Sequence, residues 1–281
     1  MFPLTKILLP IDFSERSLGG ARYAIPLAER FRSELTLLHV ISPIDYLSPE
    51  VREFNDTRRK EAAKRLTDFL CAALNHLETR RILREGDPAE IIADQAVQDR
   101  SDLIMMPTHG YSPFRRLLLG SVTSKVLHDT ECAVWTGAHV AQGPPAEWIK
   151  LSHIVCAIDL GPHSSRVLRW AASLAAEFKS ALTLVHVVPR LDSPGEGYYA
   201  DELRRRLLAE ADEAIAKVER NAGIHAESVV ESGDVSKALC IAAGRLHADL
   251  VVIGRGAADS ARLRTHAYGI IRESPCPVVS V

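Results

Sequence analysis

The chain contains itself twice. Placing Ile154 on Ile7, a shift of 147 residues, lays HIVCAIDLG over KILLPIDFS and pairs identical residues along much of each half. The matches include Ile11 with Ile158, Asp12 with Asp159, Ser17 with Ser164, Ala24 with Ala171, Phe31 with Phe178, Thr36 with Thr183, His39 with His186 and Val40 with Val187. The register returns at Gly86-Asp87 over Gly233-Asp234 and at Asp102-Leu103 over Asp249-Leu250. Cys276 then falls on Cys132, a shift of 144, so the second copy has lost three residues between Leu250 and Cys276. Between the copies, GAHVAQGPPAEWIKLSH carries Gly143-Pro144-Pro145 and no helical period, which reads as a linker. The expected domains are 1–140 and 151–281, joined by 141–150. A chain of 281 residues is comfortable for two domains, each burying its own core.

Each copy alternates short β-branched runs with longer helical patterns, the signature of βαβ units and a parallel sheet. In the first copy the expected strands are Ile7–Ile11, Leu35–Ile41, Arg80–Leu83, Leu103–Met106 and Cys132–Trp135. Leu18, Ala21, Ile25 and Ala28 recur at helical spacing between the first two. Right-handed crossovers then give an α/β fold: two tandem doubly wound, Rossmann-like five-stranded sheets, each of order 3-2-1-4-5. Ligands of such sheets bind beyond the carboxyl ends of the strands, where strand order reverses. That gap would be lined by Asp12, Val40 and the loop after Met106.

Composition excludes several classes. Lys plus Arg number 34 and Asp plus Glu 36, a net charge of −2, so no global field draws the chain to nucleic acid or anionic membrane. No apolar run approaches twenty residues, and the opening MFPLTKILLPIDFS has no secretion pattern, so a cytoplasmic protein is expected. The five cysteines form no CxxC pair, which speaks against a disulfide framework or a structural zinc, and Cys132 and Cys276 read as small buried thiols. No nucleophile elbow, paired catalytic acids or HExxH motif is present, so a dedicated enzyme is not expected.

The chemistry concentrates after Met106. Pro107-Thr108-His109-Gly110 is followed by nine residues and then by Gly120-Ser121-Val122 opening a helix whose Val126 and Leu127 face the core. A glycine permits close approach, and a helix N-terminus supplies free N–H groups and a positive dipole end, so the segment is an anion cradle. It is not a Walker A loop, because the Gly-Lys-Ser/Thr ending is missing.

This loop, with ILLPIDFS, LLHV, EGDP and DLIMM around it, resembles the ATP-binding branch of the universal stress protein family, and the resemblance covers almost the whole chain in two copies. It implies ATP, with or without Mg²⁺, as the cofactor. Asp12 would face the nucleoside, the Val40 backbone would meet adenine, and the loop Pro107, Thr108, His109 and Gly110 with Gly120, Ser121 and Val122 would hold the phosphates. The family's first loop glycine is Pro107 here, which has no N–H to donate, so contact at that point is weakened or rerouted. Arg115 and Arg116 are either phosphate ligands or a solvated pair. Asp12 reads equally as a carboxylate capping the helix near Ser14, and His39 as a packed core histidine.

The resemblance further implies a stress-response module regulated by its nucleotide, acting through an unidentified protein partner. Slow ATP hydrolysis, self-phosphorylation on Ser121, or a purely structural role are its alternatives. The apolar edge runs CAVWTG and CPVVSV, and the dimeric habit of single-domain members, lead to the expectation of an intramolecular pseudo-dimer. In the second copy Gly254 stands at Pro107, but Ala257 replaces Gly110 and Arg264-Thr265 replace Gly120-Ser121. That copy is therefore expected not to hold ATP in the family manner and to act as a structural or regulatory partner, with the nucleoside half of its pocket as a vestige and with Arg255, Arg262 and Arg264 either holding a smaller anion or merely solvated or touching the first domain.

Overall fold

The computed structural model describes residues 4–42, 44, 48–108, 119–137, 149–188, 197–255 and 261–281, giving backbone alone at 197–202, 204 and 261–265. These fall into two compact units that divide between Ile149 and Lys150.

The first unit runs β1 (Lys6–Pro10), α1 (Glu15–Phe31), β2 (Glu34–Ile41), α2 (Pro49–Asp68), α3 (Cys71–Leu74), β3 (Thr79–Glu85), α4 (Pro88–Asp99), β4 (Leu103–Met105), α5 (Ser121–Asp129) and β5 (Ala133–Thr136). Its strands pair in parallel in the order β3-β2-β1-β4-β5, the doubly wound order expected from the sequence. The apolar runs that marked the strands form the core: Ile7, Leu8, Leu9, Leu35, Leu37, Leu38, Leu103, Ile104 and Met105 are all buried. Buried on both faces, such strands read as continuous hydrophobic runs.

The second unit repeats the plan with β6 (His153–Ala157), α6 (Ser164–Phe178), β7 (Ala181–Val188), α7 (Gly197–Ala222), β8 (Glu227–Ser232), α8 (Val235–Arg245), β9 (Leu250–Ile253), α9 (Ala261–Glu273) and β10 (Val278–Ser280). Its order, β8-β7-β6-β9-β10, is the same winding. No described helix is long and apolar enough to cross a membrane.

Equivalent polar residues tie equivalent strand ends together. Asp102 accepts hydrogen bonds from the Thr5 and Lys6 backbone N–H groups, and Asp249 accepts from those of Ser152 and His153. Backbone exceptions repeat too. Phe13 and Leu160, each directly after the repeated aspartate, both take a left-handed φ of 60°. Neither is a glycine, so the surrounding contacts must hold the chain there. Gly86 and Gly233, at φ 143° and 144°, make the turn into α4 and α8 in a region that only glycine enters readily.

Candidate functional site

At the carboxyl ends of β1, β2 and β4 the first unit holds a pocket of about 190 Å³. Asp12, Val40, Pro107 and Val122 line it, together with Ser17 and Thr123. Strand alternation decides which residues of β2 reach it: Leu38 and Val40 face the pocket, and His39 points to the opposite side of the sheet.

Asp12 has two ends with different tasks. Its Oδ1 accepts from the Ser14 N–H at 3.0 Å, from Ser14 Oγ at 2.6 Å and from Ser17 Oγ. Ser14, not Asp12, is the N-cap of α1, accepting from the Ser17 N–H, so the carboxylate steadies the capping serine rather than the helix itself. No described group is bonded to Oδ2, which leaves that oxygen as an acceptor beside the pocket.

On the facing side, α5 begins at Gly120, an N-cap with no side chain to satisfy the first turn. Among the described residues, the first hydrogen bond into the helix runs from the Ser124 N–H to the Gly120 carbonyl at 2.8 Å. The N–H groups of Ser121, Val122 and Thr123 therefore point out of the helix end, as the first N–H groups of every helix do. Two further bonds clamp the loop's ends. The Gly120 N–H donates to the Thr108 carbonyl at 2.8 Å, and Thr123 Oγ1 donates to the Pro107 carbonyl at 3.0 Å. Pro107 thus serves as an acceptor, a role its missing N–H does not impair. His109, Gly110, Arg115 and Arg116 lie outside the described residues.

The pocket is mostly apolar, with Ile11, Leu38, Ile92 and Met106 in its walls. Among the described residues its polar features are the Ser17 and Thr123 hydroxyls, both already bonded, one carboxylate oxygen and one uncapped helix start. Lys125, on α5, does not serve it, because its ammonium reaches Glu90 at 2.9 Å and Asp87 at 3.4 Å. Ser17, Thr123 and Ile92 were not singled out in the sequence. Ser17 could have been, since it recurs as Ser164. Thr123 could not, because its bond to Pro107 crosses a loop whose length hides it.

His39 is a packed residue. Its Nδ1–H donates to the Ile11 carbonyl at 2.7 Å, and its ring lies against Phe13 at 4.4 Å. Burial is the largest cause that lowers its pKa below the ordinary 6.5, opposed by the Ile11 bond. His186 makes the equivalent bond to Ile158 at 2.9 Å. Cys276 is buried as expected, while Cys132 is only half-buried. Among the described residues no cluster of His, Cys, Asp and Glu could hold a metal ion.

In the second unit the helix start differs from the sequence expectation. Aligning from Cys132 and Cys276 puts Thr265 on Ser121, which would make Arg264 the helix N-cap. Instead α9 begins at Ala261, so Arg264 and Thr265 lie inside it. The two helices end at equivalent residues, Asp129 and Glu273, and α9 is longer by four residues at its start alone, 13 against 9.

Comparison with known proteins agrees with this architecture. The model of the universal stress protein family matches residues 3–136 and again 150–281. A universal stress protein of Methanocaldococcus jannaschii is 32% identical over 136 residues, covering 46% of this chain and 79% of its own length. One from Thermus aquaticus is 32% identical over 129 residues, 94% of its length. The crystal structure of a universal stress protein from Archaeoglobus fulgidus superposes over 99% of this chain and 96% of its own with a TM-score of 0.67 at 21% identity, a likeness of fold. Since the family model accounts for both units in turn, the chain belongs to the universal stress protein family, as a tandem of two copies.

Proposed function

We propose that the pocket of the first unit binds ATP, and that the chain is a nucleotide-responsive regulatory or interaction module of the stress response rather than a dedicated enzyme. The observation that carries this reading is the meeting of an apolar pocket with the uncapped N-terminus of α5. A flat base is accommodated by Ile11, Leu38 and Ile92, a sugar hydroxyl can donate to Asp12 Oδ2, and phosphate oxygens can accept from the N–H groups of Ser121 to Thr123. Mg²⁺, where it accompanies the triphosphate, would be held chiefly by phosphate oxygens and water, since the pocket offers it a single carboxylate. That carboxylate is committed on one side to Ser14 and Ser17, which leaves it poorly placed to activate a water, so turnover is expected to be slow or absent.

The test is titration calorimetry of the intact chain with ATP, with and without Mg²⁺, against Gly120→Val. Gly120 takes φ −63° and ψ 146°, a conformation open to any residue, so the substitution preserves the backbone while placing methyl groups where a phosphate would approach. Loss of binding with an unchanged circular dichroism spectrum is the expected result. Equal affinity in the variant would remove the assignment.

A further inference from the structure

The second unit also has a pocket, of about 170 Å³, at the carboxyl ends of β6, β7 and β9. Its walls are the first pocket's walls shifted by 147 residues: Ile158 for Ile11, Asp159 for Asp12, Ser164 for Ser17, Val187 for Val40, and Gly254 for Pro107. The degeneration of the glycine loop has therefore not erased the cavity behind it. Asp159 keeps the divided role of Asp12, with Oδ1 accepting from the Gly161 N–H at 2.9 Å and from Ser164 Oγ at 2.8 Å, and no described group bonded to Oδ2.

Among the described residues, what has gone is the anion cradle. Thr265 and His266 stand where Ser121 and Val122 offer outward N–H groups. In a helix that begins at Ala261 they are the fifth and sixth residues, so their N–H groups are directed to carbonyls four residues earlier. The start of α9 lies about 6 Å further back along the axis, four residues at 1.5 Å each. Two imidazoles have appeared instead, His266 in place of Val122 and His163 in place of Arg16, and both line the pocket beside the repeated His186, whose Nδ1 is already bonded to the Ile158 carbonyl. A neutral imidazole offers one donor and one acceptor, which suits the edge of a heteroaromatic ring.

We propose that this second pocket is a binding site in its own right for a planar heteroaromatic ligand that carries hydrogen-bond donors but no phosphate chain, the class of nucleosides and free bases. The apolar slot takes the ring, Asp159 Oδ2 takes a hydroxyl or amino donor, and the histidines meet the ring edge. The chain then holds two pockets of one ancestry that accept ligands of different charge. This goes beyond the reading of the first pocket and does not rest on it.

Adenosine and ATP test the idea, because they share a body and differ in the phosphate chain alone. The intact chain is labelled at histidine and followed by NMR, with His163→Asn and His266→Asn used to identify those two resonances. Adenosine is expected to shift both, in the native chain and equally in Gly120→Val, while ATP at the same concentration leaves them in place. Val187→Phe, which fills the slot, is expected to abolish the adenosine shift. Resonances unmoved by adenosine, or moved as far by ATP, would overturn the proposal whatever Val187→Phe does. Failure of the first pocket reads out separately, as absence of ATP heat in the native chain.

Discussion

His39 shows how a residue beside a pocket can matter to stability without touching a ligand. Its ring lies against Phe13, over which the Arg65 guanidinium sits at 4.3 Å, and both burial and Arg65 disfavour a proton on it. With the folded-state pKa below 6.5, the unfolded chain takes up the proton first as pH falls. The stability that neutral His39 contributes is then complete above pH 6.5 and is lost as pH drops through the folded value. Urea unfolding between about pH 7.5 and about 5.5 should show that decline, and His39→Gln, lacking the titration, should flatten it while lowering stability by about 1 kcal/mol for the lost packing and hydrogen bond. An equal slope in the variant would assign the decline to other groups. The thiols make a second contrast at this scale. Burial pushes Cys156 up to about 12 and Cys276 up to about 11, while Cys71 is exposed. Because the thiolate is the reactive form, an alkylating reagent at neutral pH is expected to modify Cys71 in the native protein and to reach Cys156 and Cys276 only in denaturant, as read by peptide mass spectrometry. Single residues were only half legible in the sequence. Asp12 offered two readings, cap or ligand; the structure gives the cap to Ser14, sets Asp12 Oδ1 behind that serine and leaves Oδ2 without a described partner, a division that no spacing encodes.

The last helix of each unit sets the chemistry of its pocket, and here the sequence was least legible. Counting back from the cysteines located the missing residues correctly in the loop but carried the helix start with them. Without the Gly-Ser stop, the run ARLRTHAYG offers good helix formers, and α9 extends backward through it. The same helix packs closely on α8 at Gly269. A Cβ on Gly269 would sit 2.5 Å from Ser236 Oγ and 3.0 Å from its Cβ. The equivalent position in α5 is Lys125, whose long side chain reaches Asp87 and Glu90 at the acidic start of α4. Gly269→Ala is therefore expected to destabilise by about 1 kcal/mol, the steric cost exceeding the helix propensity that alanine brings. Combining it with Ser236→Gly should recover part of that loss, a non-additivity that a double-mutant cycle measures. A plainly stabilising Gly269→Ala would mean that the two helices are free to part.

For the whole molecule the sequence was legible where duplication wrote the same message twice: strand order, the paired aspartates and the repeated turn glycines all follow from one offset. From the sequence the second pocket reads as a vestige because the lost loop is the visible change, whereas its walls come from three strands and three helices, β6, β7, β9, α6, α8 and α9, and meet only in the fold. On the proposed reading of the two pockets, the halves bind ligands unequally. ATP needs both an apolar slot and outward N–H groups, and of the last helices of the two units it is α5 whose first residues lie at the pocket. The intact chain is thus expected to saturate at one ATP, and, because a ligand stabilises the segments it touches, hydrogen exchange with bound ATP should slow around Asp12 and through the start of α5 while α9 stays unchanged. Gly120→Val should erase both the saturation and the protection. Two ATP per chain, or protection at α9 that survives Gly120→Val, would show that the longer helix still leaves room for phosphates and that the loss of the glycine loop does not separate the two copies.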